Sequence, residues 1–252
     1  MLNGCEKGLI DNFRQLGCNG LADKLDTALS SRHVASSELF SVMSSVTEAE
    51  LLDQKQARAD RLLRMAGLKG TYSNLDILEY RSGRNLDKVL IDRMASCSYI
   101  DECINVVITG AAGTGKTFIS RALGVQACNE GYRTRIFYLR ELLKDMTFRD
   151  RAGTDSYAKR LRMLSNVPLL IIDEWFSVAP SKDELVILHE LVDSRYGRRR
   201  STVICSQMPS GNWAGYCSNR ALGESITGRI MSKVYEMNLQ GTDMRKAHFE
   251  RP

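Results

Sequence analysis

The segment Gly110-Ala-Ala-Gly-Thr-Gly-Lys-Thr117 constrains the fold of this chain more than any other feature. It has the form G-x-x-x-x-G-K-T and follows the apolar, β-branched run of residues 105–109. Residues 118–126, directly after it, read as a helix. A strand that turns through glycines into a helix N-terminus presents successive backbone N–H groups to a single anion. Gly110, Ala111, Ala112, Gly113, Thr114, Gly115, Lys116, Thr117 and Phe118 are therefore expected to cradle the phosphates of ATP. Lys116 is expected to reach the β- and γ-phosphates, and the Thr117 hydroxyl to ligate Mg²⁺.

Leu169-Leu-Ile-Ile-Asp-Glu174 is an apolar strand ending in two acids. The carboxyl edge of a parallel sheet is where α/β folds keep their chemistry. Asp173 is expected to hold the Mg²⁺ shell with Thr117, partly through water, and Glu174 to polarise an attacking water. Together the two motifs predict ATP hydrolysis. Gln207 closes a further apolar run, residues 201–206, and is consistent with a γ-phosphate or water sensor.

Five short β-rich runs, residues 105–109, 134–139, 168–173, 201–206 and 234–239, alternate with helical stretches. That pattern predicts a five-stranded parallel sheet covered by helices. Residues 1–70 read instead as helices, with Leu21, Leu25 and Leu29 on one face. The capping-box spacing of Thr47 and Glu50 predicts a helix from Thr47 to about Met65, ended near Gly67. Asn85 is placed to cap a short helix ending near Ala95. The expected division is a helical N-terminal domain (1–70) for DNA or partner binding, a connector packed on the core (71–104) and an ATPase domain (105–252).

The net charge of +5 is uneven. Residues 1–100 hold 13 basic and 13 acidic side chains, so the excess lies beyond them. Residues 131–165 carry nine Lys or Arg against four acids, and Arg195-Tyr-Gly-Arg-Arg-Arg200 carries four cations and no acid. Such patches fit either a polyanionic partner or a solvated basic face. Arg58, Arg61 and Arg64 pose the same choice on one helix. The seven cysteines are scattered without C-x-x-C spacing, which points to a reducing, cytoplasmic setting and not to a disulfide or zinc framework. No apolar run approaches the roughly 18 residues of a membrane span. Glu6, Asp11 and Arg14 interrupt the place a signal peptide would need to be apolar, so an unprocessed chain without a membrane partner is expected.

The two nucleotide motifs, the segment from Arg195 to Gln207 and the tail Gly241-Thr-Asp-Met-Arg-Lys246 resemble the IstB family of AAA+ ATPases. These are transposition helpers of insertion sequences, related to the DnaC helicase loader. The resemblance covers nearly the whole chain and implies an AAA+ core. It also implies self-assembly with ATP at subunit interfaces, double-stranded DNA as a ligand and a cognate transposase as partner. Within it, Gln207 stands where AAA+ proteins keep a first sensor, commonly Asn. Arg229 matches an arginine finger acting in trans on a neighbour's ATP, and Arg245 matches a second sensor. Only 23 residues follow Arg229, too few for a full C-terminal lid.

The same resemblance places residues 140–165 toward nucleic acid, making Lys144, Arg149, Arg151, Lys159, Arg160 and Arg162 the DNA-binding candidates. Phe148 and Tyr157 are sparse aromatics for stacking on single strands, which favours duplex backbone binding. Two other readings compete with a transposition regulator. One is a replicative helicase loader; the other is a nucleotide-gated DNA-binding scaffold without turnover.

Overall fold

The computed structural model describes residues 4–30, 36–80, 83–152, 154–241 and 243–244. The chain forms two compact units, Met1–Asp60 and Arg61–Pro252.

The first unit contains α1 (Gly4–Gln15), α2 (Asn19–Ser30) and most of α3 (Ser36–Ala66). Ile10, Leu21, Ala22 and Leu25 are buried together, with Leu29 packed against them, as the four-residue leucine spacing predicts. The helix expected to open at Thr47 in fact begins at Ser36, so Thr47 lies inside it and is not its N-cap. A hydroxyl-to-glutamate spacing caps only where the backbone leaves the helix. Glu50 instead turns its carboxylate to the backbone N–H of Leu21 at 3.2 Å, satisfying a donor in the first turn of α2.

In the second unit, α4 (Lys88–Ala95) and α5 (Ser98–Asp101) lead into β1 (Asn105–Gly110) and α6 (Lys116–Asn129). Asp87, not Asn85, caps α4, accepting from the N–H groups of Val89 and Leu90. Asn85 takes a left-handed backbone (φ +51°) and donates its amide to the Asn238 carbonyl at 2.9 Å. Then follow β2 (Thr134–Tyr138), α7 (Leu139–Ala152), α8 (Thr154–Asn166) and β3 (Leu169–Trp175). The chain continues through α9 (Lys182–Gly197), β4 (Ser201–Ser206), α10 (Trp213–Tyr216), α11 (Arg220–Met231) and β5 (Val234–Leu239).

All five strands are parallel, in the order β2-β3-β4-β1-β5. Alternate residues supply two cores. Val107, Leu170, Ile172 and Ile204 pack under α7, α8, α9 and α11. Val106, Ile108, Leu169, Ile171, Val203 and Cys205 pack under α4, α5 and α6. Burial on both faces is why these strands read as continuous apolar runs. Among the described residues no helix is long and apolar enough to cross a membrane.

Arg195 departs from its place in the basic segment. It is buried in the last turn of α9 and donates to the carbonyls of Leu164 (2.6 Å), Val167 (3.0 Å) and Ser201 (2.5 Å), and to Thr202 Oγ1 (2.9 Å). Burial, followed by the charge of Arg200, pushes its pKa down to about 9, so it remains a cation at neutral pH. The guanidinium thus ties the α8–β3 connection to the start of β4. Arg195→Met should leave several buried acceptors unpaired at ~1–3 kcal/mol each. A loss of roughly 3 kcal/mol or more is expected as a lower urea midpoint.

Candidate nucleotide site

The glycines of the phosphate loop have separate duties. Gly110 has φ +143°, and a Cβ there would fall 2.3 Å from the Leu239 carbonyl oxygen, so no side chain fits between β1 and the end of β5. Gly115 takes φ +100° immediately before Lys116 opens α6. The Lys116 ammonium is buried within the loop, donating to the carbonyls of Gly110 (2.7 Å) and Ala111 (2.6 Å).

Thr117, the next residue, donates its hydroxyl to Asp173 Oδ2 at 2.7 Å. Asp173 is buried at the end of β3, and its other oxygen accepts the Glu174 backbone N–H at 2.8 Å. Here the register of β3 against β4 shifts, and Glu174 adopts φ +55°. A bulge of this kind re-aims side chains: Asp173 points inward while Glu174 is exposed. Ser206 Oγ donates to the Trp175 carbonyl at 2.9 Å and so ties the end of β4 to the bulge, directly before Gln207.

Lys116, Thr117, Asp173, Glu174 and Gln207 all line one cavity of about 490 Å³, with Tyr216 also in its lining. A second cavity, of about 570 Å³, shares Gly113, Lys116 and Thr117 with the first. Ile77, Leu78, Phe118 and Met244 give it apolar walls, suited to the flat faces of a base. Arg84 borders it and is buried, donating to the carbonyls of Glu79 (2.6 Å) and Thr114 (3.0 Å). The Met244 N–H donates to the Gly113 carbonyl at 2.9 Å, which brings this residue against the loop. Ile77, Leu78, Arg84 and Met244 were not singled out as site residues from the sequence. No spacing links them to a loop that the fold alone brings beside them.

The donor set suits Mg²⁺. The Thr117 hydroxyl and the Asp173 carboxylate are hard oxygen donors already in contact, and Mg²⁺ is commonly held by one or two such groups plus substrate phosphates. Among the described residues no cluster of three or more His, Cys, Asp or Glu is poised for a metal.

Other expected site residues lie elsewhere. Arg229, in the last turn of α11, is at the opposite, amino-terminal edge of the sheet, where it contacts Asp193 at 2.6 Å and Ser225. Arg245 lies outside the described residues. Of the DNA-binding candidates, Arg149 and Arg160 both pair with Asp145 at 2.8 Å, and Arg160 also stacks over Phe137. Lys144 and Arg151 on α7, and Lys159 and Arg162 on α8, remain exposed.

A phosphate loop after β1, paired acids ending β3 and a strand inserted between the two define the class as an AAA+ phosphate-loop protein. Two solved structures share the fold. The DnaC helicase loader superposes with a TM-score of 0.58 at 20% identity, covering 67% of this chain and 97% of that one. AMPPCP-bound DnaA from Aquifex aeolicus gives 0.58 at 16% identity, covering 71% and 54%. Within that class the chain belongs to the family of IstB-like ATP binding proteins, whose model matches residues 12–251. Over 204 residues it is 33% identical to a protein described as the ATP-binding protein of insertion sequence IS1162 from Pseudomonas fluorescens, spanning 80% of this chain and 86% of that protein. Over 240 residues it is 28% identical to the insertion-sequence ATP-binding protein y4pL of Sinorhizobium fredii, spanning 94% and 95%.

Proposed function

We propose that this protein is an ATPase that assembles with copies of itself on double-stranded DNA and recruits or stimulates the transposase of an insertion sequence. The observation that carries the enzymatic part is the Thr117–Asp173 contact, set in one cavity with Lys116, Glu174 and Gln207. In this reading the Lys116 ammonium exchanges its loop carbonyls for the β- and γ-phosphate oxygens. Thr117 and Asp173 would hold Mg²⁺, which would supply further neutralisation of phosphate charge. Glu174 accepts the proton of the attacking water, for which its exposed position at the bulge leaves room. Gln207 orients that water or the γ-phosphate. Arg229 completes the site of a neighbouring protomer, so nucleotide state controls assembly.

The transposition part rests on the family and on relatives named for insertion sequences. The duplex part rests on the exposed Lys144, Arg151, Lys159 and Arg162, whose contacts to phosphates make binding fall with salt. Lys116→Ala tests the nucleotide assignment on which the rest depends. Losing charge-assisted contacts at ~1.5–3 kcal/mol each predicts about a hundredfold weaker binding of a fluorescent ATP analogue. ATP-dependent co-sedimentation with duplex DNA should disappear with it. Wild-type affinity in that variant would sink the assignment.

A further inference from the structure

The amino-terminal edge of the sheet, opposite the nucleotide cavities, holds a cleft of about 580 Å³. The turns leading into β1, β4 and β5 form its rim, contributing Glu102, then Arg199 and Arg200, then Lys233, and the last turn of α11 adds Arg229. With Arg195 in its wall, five cations line the cleft against two acids, Asp101 and Glu102. Lys233 donates to the Glu102 backbone carbonyl (2.6 Å), which does not neutralise its charge. Among the described residues Arg199 and Arg200 take part in no ion pair. Arg229 is paired with Asp193, so Arg199, Arg200 and Lys233 are the rim cations without a carboxylate partner among the described residues, and such a group attracts an anion.

The backbone adds an independent observation. After α9 the N–H groups of Arg199 and Arg200 return to the carbonyls of Tyr196 and Arg195, both at 3.1 Å. Arg199 sits in this turn at φ +54°, the left-handed position that glycine normally fills at a helix end. Any side chain there incurs a steric penalty that glycine avoids. Arg195 clamps the same turn through Ser201 and Thr202. A strained arginine on a rigid turn at the mouth of a cationic cleft is poorly explained by folding and well explained by a ligand.

We propose that this cleft receives the phosphates of the nucleotide bound by a second copy of the chain, with Arg199 and Arg200 holding them alongside Arg229. The inference rests on the reading that nucleotide lies between protomers. Charge complementarity selects this occupant: the edge that must meet the cleft carries Asp173, Glu174 and, when loaded, a triphosphate.

The test uses the double variant Arg199→Gly/Arg200→Gln, in which glycine relieves the left-handed turn. Its thermal midpoint should not fall, and its affinity for a fluorescent ATP analogue should fall far less than in Lys116→Ala protein, because Lys116, Thr117 and Asp173 of the nucleotide's own protomer are intact. Its ATP turnover should drop by about ten- to a hundredfold, the scale of a lost charge-stabilising contact. Mixing it with Lys116→Ala protein, which keeps the cleft but not the nucleotide site, should restore turnover. A parallel mixture of Arg229→Ala with Lys116→Ala reports on the inter-protomer reading itself. Wild-type turnover in the double variant overturns the proposal. So does a loss that Lys116→Ala protein fails to restore while the Arg229→Ala mixture recovers. If neither mixture recovers, the inter-protomer reading fails and this proposal falls with it.

Discussion

Glu174→Gln protein is expected to bind ATP as the wild type does and to hydrolyse it about 10²–10⁴-fold more slowly, the usual worth of a positioned general base. The amide keeps the size of the side chain but cannot accept a proton. Binding should survive because no Glu174 side-chain contact supports the loop: the Thr117 hydroxyl goes to Asp173, and only the Glu174 backbone N–H meets that carboxylate. The left-handed backbone at Glu174 is equally available to glutamine, so the bulge should persist. Because ATP is bound but not spent, the variant should accumulate on duplex DNA in the presence of ATP. Single-turnover phosphate release and co-sedimentation with DNA measure the two effects. Hydrolysis at the wild-type rate would remove Glu174 from the role of base.

Arg229→Ala should show a similar phenotype for a different reason. A guanidinium that meets charge developing on the transferred phosphoryl group is worth ~10³–10⁵ in rate where such fingers act in GTPases. Arg229 stands at the sheet edge remote from its own Lys116, so any such effect must fall on another protomer's nucleotide. Its contacts to Asp193 and Ser225 hold the side chain at that edge and would have to yield when a phosphate arrives. Mixing Arg229→Ala with Glu174→Gln protein creates interfaces with an intact Glu174 on one side and an intact Arg229 on the other. Turnover should return in the mixture. If it stays as low as in either parent despite demonstrated co-assembly, Arg229 does not act in trans.

Much of the sheet edge that carries the phosphate loop was legible along the chain because its parts are contiguous. The phosphate loop needs glycine torsions and a lysine at fixed spacing, and Gly110 and Gly115 show why: both adopt positive φ, and Gly110 has no room for a Cβ. The five strands were legible because a parallel sheet buried on both faces requires unbroken apolar runs. Asp173 and Glu174 were legible as a pair, but their divergence was not. One is buried against Thr117 and the other exposed, because a register shift against β4 turns the backbone between them.

The helical ends were less readable. Capping signals are short and recur inside helices, so Thr47 promised a start that α3 had already passed, and Asp87 displaced Asn85. Charge was the least readable property. Arg195 counted as part of a basic surface, yet it is buried and bonds three carbonyls; Arg149 and Arg160 counted as DNA ligands, yet they share Asp145. From its sequence alone this protein determined the phosphate loop, the strands and the acids that close β3, since torsional freedom and apolar runs are properties of neighbours in the chain. Tertiary structure alone decided that Arg84 and Met244 border the nucleotide loop, and that Arg199, Arg200, Arg229 and Lys233 share one rim. Those groupings depend on the parallel strand order, which gathers distant turns at each edge of the sheet, and a charge has meaning only once its neighbours are in place.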